Sequence, residues 1–154
     1  MPEHDSLRII AFELRPVRIG FAVLEGLLLL DWGARAFRGG VNTVSVPAGP
    51  KVGQLLDQYE PAKVVLKRIV SIRAAHFAKE IKKEARLRGI PILRLSSWTV
   101  VPGRNKQERA TAIAQQFSEL LPILPPKRKV WQNEHYCMPI FEAIAMGLAS
   151  LSQQ

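Results

Sequence analysis

Hydrophobic positions fall into runs whose period changes along the chain. Leu7 to Leu14 (LRIIAFEL) is an apolar run rich in strand formers, broken only by Arg8 and Glu13 and ended by Arg15-Pro16, and it predicts a buried strand. Arg18 to Leu24 (RIGFAVL) and Leu27 to Trp32 (LLLLDW) flank Glu25-Gly26, a short link that closes a tight hairpin. The segment from Gly39 to Gly49 reads as a loop, and Val52 to Gln58 as a short helix carrying Val52, Leu55 and Leu56 on its apolar side. After it the period alternates between strand and helix. Lys63 to Val70 predicts a strand, and Ile72 to Arg88 a helix with Phe77, Ile81 and Ala85 on one face, stopped by Gly89. Ile90 to Leu95 predicts a further strand, Lys106 to Leu121 a helix, and Pro139 to Leu151 a final helix. The order is βββαβαβαα. Three antiparallel strands followed by β-α-β crossovers predict an α/β fold, a five-stranded mixed sheet with helices on both faces.

A chain of 154 residues with 47% hydrophobic and 23% charged residues can build one sizeable core, so residues 1–154 are read as a single domain and disorder is excluded as the main state. The 23 residues after Pro122 to Trp131 (PILPPKRKVW) are too few for a second domain, so the last helix is expected on the same sheet. A single cysteine, Cys137, excludes a disulfide framework or a Cys-rich zinc site. The start MPEHDSLR lacks the basic and apolar stretches of a secretion signal, which with the lone cysteine predicts a cytoplasmic location. The longest nearly apolar run, Cys137 to Leu151, has 15 residues and includes Glu142, too short to span a bilayer, so no membrane partner is expected.

The net charge of +9 is unevenly placed: residues 61–130 carry 16 Lys or Arg against 4 acids, and the rest of the chain carries 6 against 9. A concentrated positive field attracts phosphate backbones, so nucleic acid is the expected partner. Lys79, Lys82, Lys83, Arg86 and Arg88 read as the solvated face of one helix. Two loop clusters are more informative: Arg104, Lys106 and Arg109 after Pro102-Gly103, and Lys127, Arg128 and Lys129 after Pro125-Pro126. Trp98 and Trp131 flank these clusters, where a ring can stack on a base, although packing over a sheet edge is the favoured reading. His4, His76 and His135 are too dispersed for a zinc motif, and no glycine pattern for cradling a nucleotide is present.

Two carboxylates stand in apolar surroundings, Glu13 in the first strand and Glu142 in the C-terminal run. A buried carboxylate costs several kcal/mol unless it is paired, protonated or metal-bound. A shared site is one explanation. The others are local: Glu142 in the first turn of a helix starting at Pro139, favoured by the helix dipole, and Glu13 in an ion pair with Arg15, Arg18 or Lys67 at a strand edge.

The order of elements, with an acid inside strand one and another in the last helix, resembles the RuvC-like branch of the RNase H-like superfamily, the Holliday-junction resolvases. The segment IIAFELRPVRIGFAV places Glu13 at that family's strand-one acidic position and Gly20 in its return strand, and GRNKQ matches its basic turn at Gly103, Arg104, Lys106 and Gln107. MPIFEAIAMGLA matches the second half of the family's last-helix acidic run at Glu142, with Pro139 on the earlier acid, while Glu134 and His135 in NEHY are possible substitutes. Lys67 or Arg68 stands where the family's fourth strand ends in an acid. The resemblance implies a Mg²⁺- or Mn²⁺-dependent endonuclease acting on branched DNA or structured nucleic acid, DNA ahead of RNA, and a homodimer. Glu13, Glu142 and Glu134 would be catalytic, and Glu13 and Glu142 would hold metal. Arg104, Lys106, Arg109, Lys127, Arg128 and Lys129 would grip phosphates. The alternative is an inactive nucleic-acid-binding module, with Lys67 either inside the site or turned away by strand alternation.

Overall fold

The computed structural model describes residues 7–37, 47–96 and 100–152. Its strands are β1 (Arg8–Leu14), β2 (Arg18–Glu25), β3 (Leu28–Ala36), β4 (Lys63–Lys67) and β5 (Ile92–Leu95), and its helices α1 (Gly49–Tyr59), α2 (Ala75–Leu87), α3 (Lys106–Gln116) and α4 (Met138–Ser150). The sheet order is β3-β2-β1-β4-β5. The first three strands pair antiparallel, and β1, β4 and β5 run parallel, so the predicted meander followed by crossovers is the observed topology. Gly26, at a φ of 60°, makes the left-handed corner of the β2–β3 hairpin.

Strand alternation divides the core into two layers. Ile10 and Phe12 of β1 and Val64 and Leu66 of β4 face α1 and α2, against Leu56, Phe77 and Ile81. Ile9 and Ala11 of β1 and Val65 of β4 face α3 and α4, against Ile113, Phe141 and Ile144. By the same parity Glu13 and Lys67 point to the layer under α4. Helix α4 is buried almost all round, as an apolar helix without a polar face must be. It approaches β2 closely at Gly20, where a Cβ would lie 2.5 Å from the Pro139 carbonyl carbon. Gly20 is the register partner of Glu13, so this close approach brings the start of α4 beside the strand-one carboxylate.

Several element boundaries differ from the periodicity: β3 runs on to Ala36 where Trp32 is the expected end, α1 begins at Gly49 ahead of Val52, and β5 begins at Ile92 after Ile90. Strand β4 ends at Lys67 rather than Val70, because β5 offers no ladder partner beyond Leu95 and Ile69 turns out into solvent at 86% exposure. Residues Ile72–Ala74 form a 3₁₀ turn before α2 begins at Ala75. Helix α3 ends at Gln116 and continues as a 3₁₀ turn over Ser118–Ile123, where Pro122 cannot donate to an α-helical ladder.

Candidate functional site

Glu13 at the end of β1, Glu142 in α4 and Glu134 in the segment before α4 converge on one side chain, Arg15. Arg15 Nη1 donates to Glu13 Oε1 at 2.9 Å, Nε to Glu134 Oε1 at 2.8 Å, and Nη2 to Glu134 Oε2 and Glu142 Oε2, each at 3.1 Å. The planar guanidinium thus bridges all three acids, the geometry in which its charge-assisted bonds are strongest. Lys67 Nζ lies 2.8 Å from Glu13 Oε2 and 3.6 Å from Glu142 Oε2. Lys106 Nζ lies 3.2 Å from Glu134 Oε2 and 3.8 Å from Glu142 Oε1, and Arg18 Nη2 donates to Glu134 Oε1 at 3.0 Å.

Several local expectations are settled by this arrangement. Lys67 points into the cluster, not away from it. Glu13 is paired with Arg15 and Lys67, but on β1, the central strand, not at a sheet edge. Glu142 is not in the first helical turn, which contains no acid; α4 begins at Met138, so the carboxylate sits a turn further in and is compensated by side chains, not by the helix end.

The electrostatics differ among the three acids. Burial pushes the Glu13 carboxyl above its ordinary range, with Lys67 and Arg15 opposing that rise and Glu142 adding to it. Burial also works to raise Glu142, but Lys67, Lys106 and Arg15 outweigh it and hold the carboxyl low. Glu134 meets the same contest, and its bonds to Arg15 and the charges of Arg15 and Lys106 bring it down to about 2. Glu134 and Glu142 are therefore carboxylates at neutral pH.

A divalent ion needs carboxylate oxygens free to approach within about 2.0–2.6 Å. Here the oxygens of Glu13, Glu134 and Glu142 are already committed to cationic nitrogens, and among the described residues no three His, Cys, Asp or Glu are grouped to hold a metal. The residues as arranged do not fit the metal pair that the resemblance implies for Glu13 and Glu142, because protein cations take the central position.

Of the residues expected to grip phosphates, Lys106, Lys127 and Arg128 line one cleft of about 350 Å³ together with Asn105, Gln107 and Glu134. A second cleft of about 300 Å³, over Glu13, Arg15 and Lys67, shares Lys106 as a wall. Arg104 is 92% exposed and reaches back to Glu108 at 3.6 Å. Arg109 lines neither cleft, and Lys129 sits over the Trp131 ring at 5.4 Å. Trp131 is 78% exposed, so it does not pack over a sheet edge. Trp98 lies outside the described residues. His135 accepts a 3.1 Å bond from the Cys137 backbone N–H and touches none of the acids through it.

Sequence reasoning proposed Arg15 and Arg18 only as ion-pair partners of Glu13. The signal for Arg15 was the spacing Glu13-x-Arg15, since residues two apart on an extended chain share a face. Its bond to Glu134, 119 positions away, had no local signal.

No protein-family model and no curated protein sequence matches this chain. Solved structures do. Thermus thermophilus RuvC in complex with a Holliday junction substrate superposes with a TM-score of 0.62 at 13% identity, covering 93% of this chain and 91% of that one. The Fowlpox virus resolvase in complex with Holliday junction DNA gives 0.55 at 12% identity, covering 96% and 98%. The fold is RuvC-like. Within this fold, β1 and the last helix supply Glu13 and Glu142, while the end of β4 supplies Lys67.

Proposed function

We propose that this protein binds branched or structured nucleic acid, DNA ahead of RNA, through the cleft formed by Lys106, Lys127 and Arg128, and that it works by binding, not by cutting. The observation that carries the reading is the convergence of the two basic loop clusters. Lys106 at the start of α3 and Lys127 and Arg128 twenty-odd residues later line one concave surface, within a half of the chain whose charge is strongly positive. The two RuvC-fold proteins solved with junction DNA support DNA as the class of partner. The lone Cys137 fits a cytoplasmic setting, and no helix among the described residues is long and apolar enough to cross a membrane.

Fluorescence anisotropy on a panel of four-way junction, flap, duplex, RNA–DNA hybrid and hairpin RNA tests the reading. Affinity should fall steeply with salt, and each of Lys106→Ala, Lys127→Ala and Arg128→Ala should flatten the log–log slope by about 0.9 for every phosphate left without its cation. Absent or salt-insensitive binding sinks it. The rival, a Mg²⁺- or Mn²⁺-dependent endonuclease, draws on the meeting of Glu13, Glu134 and Glu142 in one site. Cleavage of any substrate with Mn²⁺, abolished by Glu13→Gln and by Glu142→Gln, would establish that reading instead.

A further inference from the structure

The acidic cluster is a charge-complete unit. Each of the six oxygens of Glu13, Glu134 and Glu142 has a protein cation within 3.8 Å: Arg15 and Lys67 for Glu13, Arg15 with Arg18 and Lys106 for Glu134, and Arg15, Lys67 and Lys106 for Glu142. Three carboxyl groups therefore face four cationic side chains. Two divalent ions would bring the same four charges, about 3.5–4 Å apart. Arg15 cannot leave the charge balance by losing a proton, since a guanidinium stays protonated in proteins. It is also largely buried, with 18% of its side chain exposed.

We infer that Arg15 and Lys67 stand permanently where the resemblance implies divalent cations, so that this chain holds its acidic cluster without metal and takes up no Mg²⁺ or Mn²⁺ there. The reason is steric as well as electrostatic. Glu13, 2% exposed, turns one oxygen to Arg15 and the other to Lys67, so an entering ion would have to displace both cations from a carboxylate that water cannot reach to compensate. The cluster's work is then to position. Through Glu134 it ties the segment carrying the basic cleft to the end of β1, and through Glu142 it ties α4 to β4. This goes beyond the binding reading above, because it concerns what neutralises the acids; although Lys106 and Glu134 also line the basic cleft, Mn²⁺ uptake is measured without nucleic acid, so the two fail separately.

The test titrates Mn²⁺ into the purified native protein and into the Arg15→Met/Lys67→Met double variant, following the paramagnetic resonance signal of free Mn²⁺ and the melting temperature. For the native protein, the free-ion signal should stay undiminished into the millimolar range and the melting temperature should be the same in Mn²⁺ and in EDTA. The double variant, with three acids now short of cations, should take up Mn²⁺ and melt several degrees higher with it than in EDTA. Stoichiometric uptake by the native protein that Glu13→Gln and Glu142→Gln each abolish overturns the inference. So does a folded double variant that ignores Mn²⁺, since the acids would then not be ligands in waiting. Should the double variant fail to fold, the native titration alone decides.

Discussion

Arg15→Ala is the most informative single substitution. The side chain makes four hydrogen bonds of 2.8–3.1 Å to three carboxylates, of which Glu13 is 2% and Glu142 is 6% exposed. Removing it leaves Lys67 alone against Glu13 and takes two of the donors from Glu134. Loss of one partner from a buried ionic cluster costs about 3–5 kcal/mol, mostly as uncompensated charge. For a chain of this length that corresponds to a fall in melting temperature of roughly 10 °C. Arg104→Ala is the matched control, because that guanidinium is 92% exposed and its one partner lies 3.6 Å away, which makes it worth about 0.5 kcal/mol or less. The assay is urea unfolding at pH 7 in EDTA, with Arg15→Ala/Glu13→Gln as a third sample, in which one stranded charge is neutralised and part of the loss should return. If Arg15→Ala and Arg104→Ala cost the same, Arg15 is not the hub of the cluster and the reasoning fails.

The pH dependence has a defined sign. The folded Glu134 carboxyl titrates at about 2 against an ordinary 4.5, so its contribution is present above 4.5 and is lost as pH falls through that window; unfolding free energy measured between pH 6 and 2 should drop less steeply in Glu134→Gln, and an unchanged acid limb contradicts the assignment. Glu13 works the other way: its raised carboxyl favours folding below its unfolded value, and that advantage is lost as pH rises through its folded one, so Glu13→Gln should gain relative stability at neutral pH once Lys67 is also neutralised. Trp131→Ala should leave the melting temperature unchanged, because the ring is 78% exposed, yet weaken single-strand binding by about 1 kcal/mol or more if it stacks on a base; unaltered affinity removes it from the interface. Gly20→Ala should cost about 1–3 kcal/mol, because its Cβ would meet the Pro139 carbonyl carbon at 2.5 Å, whereas Gly33→Ala meets the movable Phe21 ring at 2.8 Å and should cost less; the reverse order in denaturation would refute the close-approach argument.

The strands and helices were legible because their hydrophobic period is strong. LRIIAFEL and KVVLKRIV read as strands, and Phe77, Ile81 and Ala85 as one helix face; Ile9, Ile10, Ala11 and Phe12, Val64, Val65 and Leu66, and the three helix residues are core in the structure, while Leu7 and Ile69 at the strand ends are exposed. The ends were not legible. Where β4 stops depends on how far β5 extends, and α3 stops because the Phe117 backbone leaves the helical region at φ −121° and ψ 87°, neither of which the local hydrophobic period shows. Glu13 and Glu142 stood out as acids in apolar runs, and their meeting followed from topology once β1 and the last helix were placed on one layer. What fills the space between them was not legible: Arg15 lies just beyond β1, and a long flexible side chain chooses its partners by tertiary packing. Trp131 failed for the opposite reason, since a loop ring beside lysines gives no periodic signal of whether it is covered.

The departures from the RuvC-like pattern are consistent with one another in charge. Relative to the acids that the resemblance places at the end of β4 and early in the last helix, Lys67 changes the local charge by two units and Pro139 by one, both toward positive. Taken singly, either change would spoil a site that depends on divalent ions, because it removes a ligand and, at Lys67, inserts a like charge. Together with Arg15 they produce a cluster that needs no ions, in which the remaining acids serve as counter-ions for the protein's own cations. Pro139 has a second consequence. Its backbone lies against Gly20, the strand residue opposite Glu13, so the position where the resemblance implies an acid is here the contact that seats α4 on the sheet. In this chain that helix end holds Glu142 within reach of Arg15 and Lys67.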